Sequence, residues 1–137
     1  RPLMQKFADF GCQLCLPITP QSPSELQFHA YQMGEPLISG SYGTLQPDPS
    51  SAICTPDLIL LPLLAFDNAC RRLGYGGGFY DRTILQLRQS NAELPDASLT
   101  CIGVAYSGQQ VNKVPVDSYD QTLDFVITPD KIHRRPV

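Results

Sequence analysis

Glycines are concentrated in one short segment, Arg72-Leu-Gly-Tyr-Gly-Gly-Gly-Phe-Tyr-Asp81, which lies between an apolar run and a sequence with helical periodicity. Four of the ten glycines of the chain fall here, at positions 74, 76, 77 and 78. Glycine can adopt a positive φ, and it lets an anion approach backbone N–H groups that a side chain would cover. The N-terminus of the following helix directs partial positive charge to the same place. The segment therefore predicts an anion or nucleotide site.

Charged residues flank these glycines on both sides. Arg72 precedes them and can make a charge-assisted contact with a phosphate group. Asp81 falls in the first turn of the predicted helix, where a carboxylate interacts favourably with the helix dipole and can also hold a magnesium ion that is bound to phosphates. From the residues alone, both roles of Asp81 stay open.

A simpler interpretation is that the glycines only form a tight turn between a strand and a helix. Such a turn needs one or two glycines rather than four. The spacing matches neither the G-x-x-x-x-G-K-[ST] phosphate loop nor the G-x-G-x-x-G dinucleotide fingerprint. The residues therefore favour a phosphate-binding role without indicating which nucleotide is bound.

Cysteines offer a second kind of chemistry. Cys12 and Cys15 have the C-x-x-C spacing of redox and zinc sites, but they lie in an apolar segment that is typical of a buried strand, and no partner pair follows at zinc spacing. We interpret both as packing residues, with a redox or zinc site as the alternative. Because the five cysteines are odd in number and the chain is long enough for its own core, we expect no disulfide framework and a reduced, cytoplasmic protein.

Apolar periodicity and chain breakers predict the elements that position these residues. In the first half we expect a helix, two strands and a long irregular segment, over 3–10, 12–17, 26–31 and 34–56. In the second half we expect a central strand covered on both faces, a helix and two further strands, over 58–66, 79–89, 100–106 and 125–128. Alternating strands and helices imply right-handed crossovers, and hence an α/β domain with a mostly parallel central sheet flanked by helices.

Composition limits the classes of function. The 137 residues suffice for one domain, and the net charge of -3, without any dense run of Lys and Arg, argues against a nucleic-acid partner. No apolar run approaches the roughly 20 residues that a membrane-spanning helix needs. A small-molecule partner is the expectation that remains.

Longer motifs surround the glycine segment. The run Leu61-Pro-Leu-Leu-Ala-Phe-Asp67, followed by Arg72-Leu-Gly-Tyr-Gly-Gly-Gly-Phe-Tyr-Asp81-Arg82, resembles the signature of the 5-formyltetrahydrofolate cyclo-ligase (methenyltetrahydrofolate synthetase) family. Gly103-Val-Ala-Tyr106, Val114-Pro-Val-Asp-Ser-Tyr-Asp120 and Asp124-Phe-Val-Ile-Thr-Pro129 match further parts of the family in the same order. The resemblance covers nearly the whole chain.

This resemblance implies an enzyme of one-carbon metabolism that uses ATP and Mg²⁺. The formyl oxygen of 5-formyltetrahydrofolate attacks the γ-phosphate, and the neighbouring folate nitrogen then closes a five-membered ring and expels phosphate. The products are 5,10-methenyltetrahydrofolate, ADP and phosphate. Because phosphoryl transfer depends mainly on positioning and charge stabilisation, a backbone cradle, an arginine and carboxylates that hold the metal would suffice. The implied architecture is a three-layer domain similar to the fold of sugar-phosphate isomerases and CoA transferases.

The resemblance also assigns roles to individual residues. Arg72 and Tyr80 are implied as catalytic residues, and Asp81 and Asp120 as magnesium ligands, although Asp120 by composition alone is an exposed loop acid. The implied ATP contacts are Arg72, Gly74, Gly76, Gly77, Gly78, Phe79, Tyr80 and Asp81. The implied folate contacts are Tyr75, Gly76, Gly77, Gly78 and Phe79.

Other aromatic and imidazole side chains are less specific. The rings of Phe28, Tyr31 and Tyr106 can flank a pterin, with packing in the core as the alternative. We expect His29 and His133 to be ordinary polar residues rather than catalysts.

Two features depart from the family pattern. Gln46 precedes Pro47 where the family usually has Glu. The N-terminal helix that provides basic ATP contacts and a substrate-contacting Glu in the family has no counterpart in this chain. We therefore expect residues 1–137 to form a single cyclo-ligase-like domain, monomeric and lacking the N-terminal helical segment. The alternative function is a non-catalytic relative that binds folate or nucleotide.

Overall fold

The computed structural model describes residues 2–20, 24–74, 78–94, 98–116 and 120–136. The chain divides into two compact units, Arg1–Pro56 and Asp57–Val137. Within the described residues neither α-helix has the length and apolar content to span a membrane.

The first unit contains a short helix and a small antiparallel sheet. Its elements are α1 (Pro2–Asp9), β1 (Leu14–Ile18), β2 (Gln27–Tyr31), β3 (Ile38–Ser39), a 3-10 turn (Ser41–Gly43), β4 (Leu45–Gln46) and β5 (Ile53–Cys54). Strands β1, β2 and β5 form one sheet with β2 in the middle. The predicted helix and both predicted strands are confirmed. The segment predicted to be irregular also contains three two-residue strands, since β3 pairs with β4 and β5 joins the larger sheet.

The interpretation of Cys12 and Cys15 as packing residues in a protein without disulfides is wrong for both cysteines. Cys15 on β1 and Cys54 on β5 are joined by a disulfide, whereas Cys12 is a free, exposed thiol. Both bonded residues lie on strands that flank β2, so the sheet brings them together although 39 positions separate them in the sequence. Neither the odd number of cysteines nor their spacing in the sequence reveals this pair, because the pairing depends on the order of the strands in the sheet.

The second unit contains a four-stranded sheet and the longer helix. Its elements are β6 (Leu58–Leu61), β7 (Ala65–Phe66), β8 (Arg72–Leu73), α2 (Phe79–Asn91), β9 (Thr100–Val104), a 3-10 turn (Ser107–Gln109), β10 (Phe125–Ile127) and β11 (Ile132–Arg134). The sheet order is β11-β10-β9-β6. Strands β6, β9 and β10 are parallel, and β11, which the sequence did not predict, pairs antiparallel with β10.

The apolar run over 58–66 does not form one central strand. Strand β6 ends before Pro62, which lacks an N–H group for the ladder, and the chain resumes as β7 in a separate hairpin with β8. Among the described strands, β6 pairs only with β9 and therefore lies at the edge of the sheet, whereas β9 lies in its interior. The α/β class is confirmed, and the described sheets are mixed, with two parallel pairings and one antiparallel pairing in the four-stranded sheet and antiparallel pairings in the others.

Candidate active site

Gly78 marks the start of helix α2, at the end of the glycine segment. It occupies the N-cap position with φ +71° and ψ 9°, in the left-handed region that favours glycine. Glycine has no side chain to accept a hydrogen bond from the first-turn N–H groups, so the cap residue itself does not cover this helix end. Gly74 lies within the described residues on the other side of the segment. Tyr75, Gly76 and Gly77 lie outside the described residues.

Three of the predicted site residues meet at this helix end. The Arg72 side chain is buried, and its Nη2 atom lies 3.6 Å from Oδ2 of Asp81. Its Cζ atom lies 5.8 Å from the centre of the Tyr80 ring, within the range of a cation–π contact. Nη1 donates a weak hydrogen bond of 3.5 Å to the carbonyl oxygen of Pro62. The guanidinium is therefore fixed beside the first turn of α2.

One atom of this buried arginine lacks a partner. Nε of Arg72 is buried and has no hydrogen-bond acceptor among the described residues. A buried N–H of a charged group without an acceptor is costly, and a bound anion is one group that would satisfy it. The guanidinium thus fits a site for phosphate oxygens.

Gly74 has no side chain, and the Arg72 guanidinium occupies the space that a side chain there would fill. A Cβ atom built on Gly74 would lie 2.7 Å from Nη1 of Arg72 and 3.3 Å from its Cζ. Those distances are shorter than van der Waals contact. The glycine at this position therefore leaves room for the guanidinium where it lies, and it does so without a left-handed backbone conformation.

The two predicted metal ligands are linked through one residue. The backbone N–H of Gln121 donates to Oδ1 of Asp81 at 3.1 Å, which brings the residue directly after Asp120 onto the Asp81 carboxylate. The described residues contain no group of three or more His, Cys, Asp or Glu side chains that could hold a metal by themselves. Mg²⁺ in nucleotide sites typically uses one or two carboxylates together with phosphate oxygens and water, so a pair of aspartates fits this metal in number and type.

Tyr80 provides a neutral hydroxyl at this helix end. Burial raises the pKa of the Tyr80 phenol, and the charge of Arg72 only partly opposes this. The phenol therefore stays protonated at neutral pH and can donate a hydrogen bond.

Asp67 is a structural residue whose role the sequence motif did not indicate. Its Oδ1 accepts from the N–H groups of Ala69 and Arg71 at 3.0 and 3.1 Å. Its Oδ2 accepts from Nε of Arg71 and from the N–H of Val114, both at 2.9 Å. Burial alone would raise the pKa of Asp67, but these hydrogen bonds and the charge of Arg71 outweigh it and hold the pKa below the usual value. Asp67 thereby fixes the turn from β7 into β8, which leads to Arg72.

The remaining candidates are three aromatic side chains and two histidines, which differ in burial and in their contacts. Phe28 and Tyr31 are buried in the first unit, which agrees with the alternative of core packing. Tyr106 is 75% exposed in the second unit, so it stays available to a ligand. His29 is buried with both ring nitrogens in hydrogen bonds, and His133 packs its ring against Phe66. The expectation that both histidines are ordinary polar residues agrees with these contacts.

Comparison with known proteins gives consistent matches. The model of the 5-formyltetrahydrofolate cyclo-ligase family matches residues 1–129. The 5-formyltetrahydrofolate cyclo-ligase of Escherichia coli K12 is 34% identical over 137 residues, a match that covers 96% of this chain and 71% of that protein. The enzyme of the same name from Mycolicibacterium smegmatis is 28% identical, with 94% of this chain and 66% of that protein covered.

Among solved structures, the 5,10-methenyltetrahydrofolate synthetase of Aquifex aeolicus is similar to this chain with a TM-score of 0.73 and 27% sequence identity. The match covers 99% of this chain and 64% of that structure. The chain thus spans about two thirds of the length of the relatives that it matches.

Proposed function

The chain belongs to the 5-formyltetrahydrofolate cyclo-ligase family, and from this membership we propose that its protein catalyses the ATP-dependent cyclisation of 5-formyltetrahydrofolate to 5,10-methenyltetrahydrofolate. The main structural support is the meeting of Arg72, Tyr80 and Asp81 at the N-terminus of α2. These residues provide a cation, a neutral hydroxyl and a carboxylate where the helix dipole favours negative charge.

We assign the phosphates of ATP to this helix end. The expected contacts are Arg72, Gly74, Gly76, Gly77, Gly78, Phe79, Tyr80 and Asp81. The buried guanidinium of Arg72 would donate to phosphate oxygens, and its Nε, which has no acceptor in the described part of the chain, supports that role. The protonated hydroxyl of Tyr80 would donate to the phosphate being transferred, so that its charge is stabilised without a covalent nucleophile.

Asp81 and Asp120 are the proposed magnesium ligands. When bound, Mg²⁺ would neutralise the charge of the phosphates and orient them. In the described arrangement Oδ2 of Asp81 faces Arg72, so the carboxylate and the guanidinium neutralise each other across 3.6 Å. Each partner of this loose pair can turn to a ligand of opposite charge, the guanidinium to phosphate and the carboxylate to a cation.

The folate is assigned to residues beside the phosphate site. Tyr75, Gly76, Gly77, Gly78 and Phe79 are the proposed contacts, and Tyr106 offers an exposed ring for the flat pterin. The proposed reaction requires the formyl oxygen of a substrate bound here to reach the phosphate that Arg72 and Tyr80 would hold.

The fold, the oligomeric state and the compartment complete the proposal. We propose a three-layer architecture like that of sugar-phosphate isomerases and CoA transferases, a monomer, and a cytoplasmic reaction without nucleic-acid or membrane partners. A disulfide is unusual in the cytoplasm, so a bonded Cys15–Cys54 pair in the purified native protein would argue against this compartment, and two free thiols there would support it.

The catalytic function is tested with the protein at its full natural length. Incubation with 5-formyltetrahydrofolate, ATP and Mg²⁺ should produce the near-ultraviolet absorbance of the methenyl product together with one ADP per turnover. Omission of either ATP or Mg²⁺ should abolish both signals. Binding of ATP or folate without any absorbance change would instead support the non-catalytic relative.

A further inference from the structure

Helix α2 contacts the segment 120–124 at two points that lie two turns apart. Asp81, in the first turn, accepts a hydrogen bond from the backbone N–H of Gln121. Arg88 lies seven residues further on, which places it on the same face of the helix. Its Nη1 donates to Oε1 of Gln121 at 3.1 Å, and its Nη2 donates to the carbonyl oxygen of Thr122 at 2.9 Å.

The far end of this segment is tied to the sheet instead. The N–H of Leu123 donates to the carbonyl of Cys70, and Asp124 exchanges hydrogen bonds with the backbone of Cys101 on β9. Residues 120–122 belong to no helix or strand. Gln121 and Thr122 are joined to α2 by hydrogen bonds to the Asp81 carboxylate and from the planar fork of Arg88.

We propose that Arg88 is a positioning residue that holds Asp120 beside Asp81, so that the two carboxylates can share one divalent cation. This inference rests on the proposed function, which makes both aspartates metal ligands. Arg88 touches the residue after Asp120 and the carbonyl of the next one, and its two donors fix both the side chain and the backbone there. Groups that orient metal ligands typically affect metal affinity strongly although they do not touch the metal.

Arg88 also contacts Asp124, and a control variant must separate the effect of this contact from that of the bonds to Gln121 and Thr122. Its Nη2 lies 3.8 Å from Oδ2 of Asp124. Arg135 approaches the other oxygen of the same carboxylate at 3.2 Å and is more exposed. Arg135→Ala therefore removes one cationic partner of Asp124, as Arg88→Ala does, but leaves the described bonds to Gln121 and Thr122 in place.

The test measures Mn²⁺ binding by electron paramagnetic resonance in the presence of ADP. Arg88→Ala should weaken Mn²⁺ binding by about 10- to 100-fold, the usual effect of losing a group that orients a ligand. Arg88→Lys should restore only part of the affinity, because an ammonium cannot reproduce the two-donor fork. Arg135→Ala should bind Mn²⁺ like the unmodified protein, and the Mg²⁺ concentration for half-maximal turnover should change in the same order.

Equal Mn²⁺ affinity in Arg88→Ala and the unmodified protein would overturn the inference, as would an equal loss in Arg135→Ala. If Asp81→Asn also binds Mn²⁺ like the unmodified protein, Asp81 is not a metal ligand. In that case the proposed function fails at its metal site, whatever the role of Arg88. Should Arg88→Ala not fold, Gln121→Ala removes the described acceptor of Nη1 and should weaken Mn²⁺ binding several-fold. Unchanged binding in that variant would contradict the proposal equally.

Discussion

At the scale of single residues, Arg72 explains several features of the site. The buried guanidinium contacts Asp81, Tyr80 and the Pro62 carbonyl, and it occupies space that a side chain at position 74 would need. The glycine spacing in this segment therefore reflects two different requirements, room for an arginine at Gly74 and a left-handed backbone at Gly78. The sequence predicted the positive φ but could not distinguish these requirements.

Gly74→Ala should displace the Arg72 guanidinium, because the new Cβ would overlap Nη1 and the buried side chain would have to leave its contacts. We expect kcat/KM for ATP to fall about 100-fold, as catalytic groups misplaced by about 1 Å can do. Steady-state kinetics measure the loss. Gly108→Ala is the matched control, since its Cβ would meet no atom within 4 Å. Normal activity in Gly74→Ala would show that Arg72 is not required where it lies.

Asp67→Asn should destabilise the protein by about 3 kcal/mol at neutral pH, since an amide nitrogen would replace the oxygen that accepts from Arg71 and Val114. The native pKa of Asp67 is lowered, so its contribution is fully present above the unfolded-state pKa of about 3.9 and disappears as pH falls through the native value. Urea unfolding from pH 7 down to pH 3 should show the gap between the two proteins closing below about pH 4. Asp57→Asn, at an exposed position, is the control. A gap that does not change with pH would contradict this assignment.

At the scale of elements, helix α2 organises the candidate site. Its first turn provides Tyr80 and Asp81, its middle buries Thr83 and Ile84, and Arg88 lies in its last turn. Helical periodicity was enough to predict this element, because its apolar positions repeat within one stretch of sequence. Its contact with residues 121–122 could not be predicted in the same way, since no local pattern links Arg88 to a segment 33 positions away.

Gly78→Ala should weaken the start of α2. An alanine at φ +71° costs about 1–2 kcal/mol, whereas asparagine tolerates the left-handed region better. Denaturant unfolding should therefore give stabilities in the order glycine, asparagine, alanine. An alanine variant that is as stable as the unmodified protein would contradict the assigned backbone conformation.

At the scale of the whole molecule, the chain combines an antiparallel unit and a unit with a mixed sheet. The disulfide belongs to the first unit and closes a loop of 39 positions between strands on opposite sides of β2. Such a cross-link stabilises mainly by limiting the unfolded chain, typically by about 2–4 kcal/mol.

Alkylation followed by mass spectrometry should distinguish the cysteines. The native protein should react at Cys12 alone, because Cys70 and Cys101 are buried and burial raises the pKa of Cys101 to about 11. Unfolding without reductant should expose three thiols, and reduction should expose all five. The reduced protein should also melt at lower temperature. Five reactive thiols before reduction would show that Cys15 and Cys54 are not bonded.

Features that depend on residues close together in the chain could be predicted from the sequence. These are the glycine segment before a helix, Asp81 in its first turn, the helix α1 and the strands β1, β2, β9 and β10, because conformational preference and apolar periodicity act over a few residues. Family membership was also recognisable from contiguous motifs.

Contacts between residues that are far apart in the chain depend on the tertiary structure. The tertiary structure placed Arg72 against Asp81, joined Gln121 to Asp81 across 40 positions and bonded Cys15 to Cys54. Such contacts arise only when sheets and helices pack, so their energies depend on strand order and on the burial of side chains from separate segments. No local pattern in the sequence records that order.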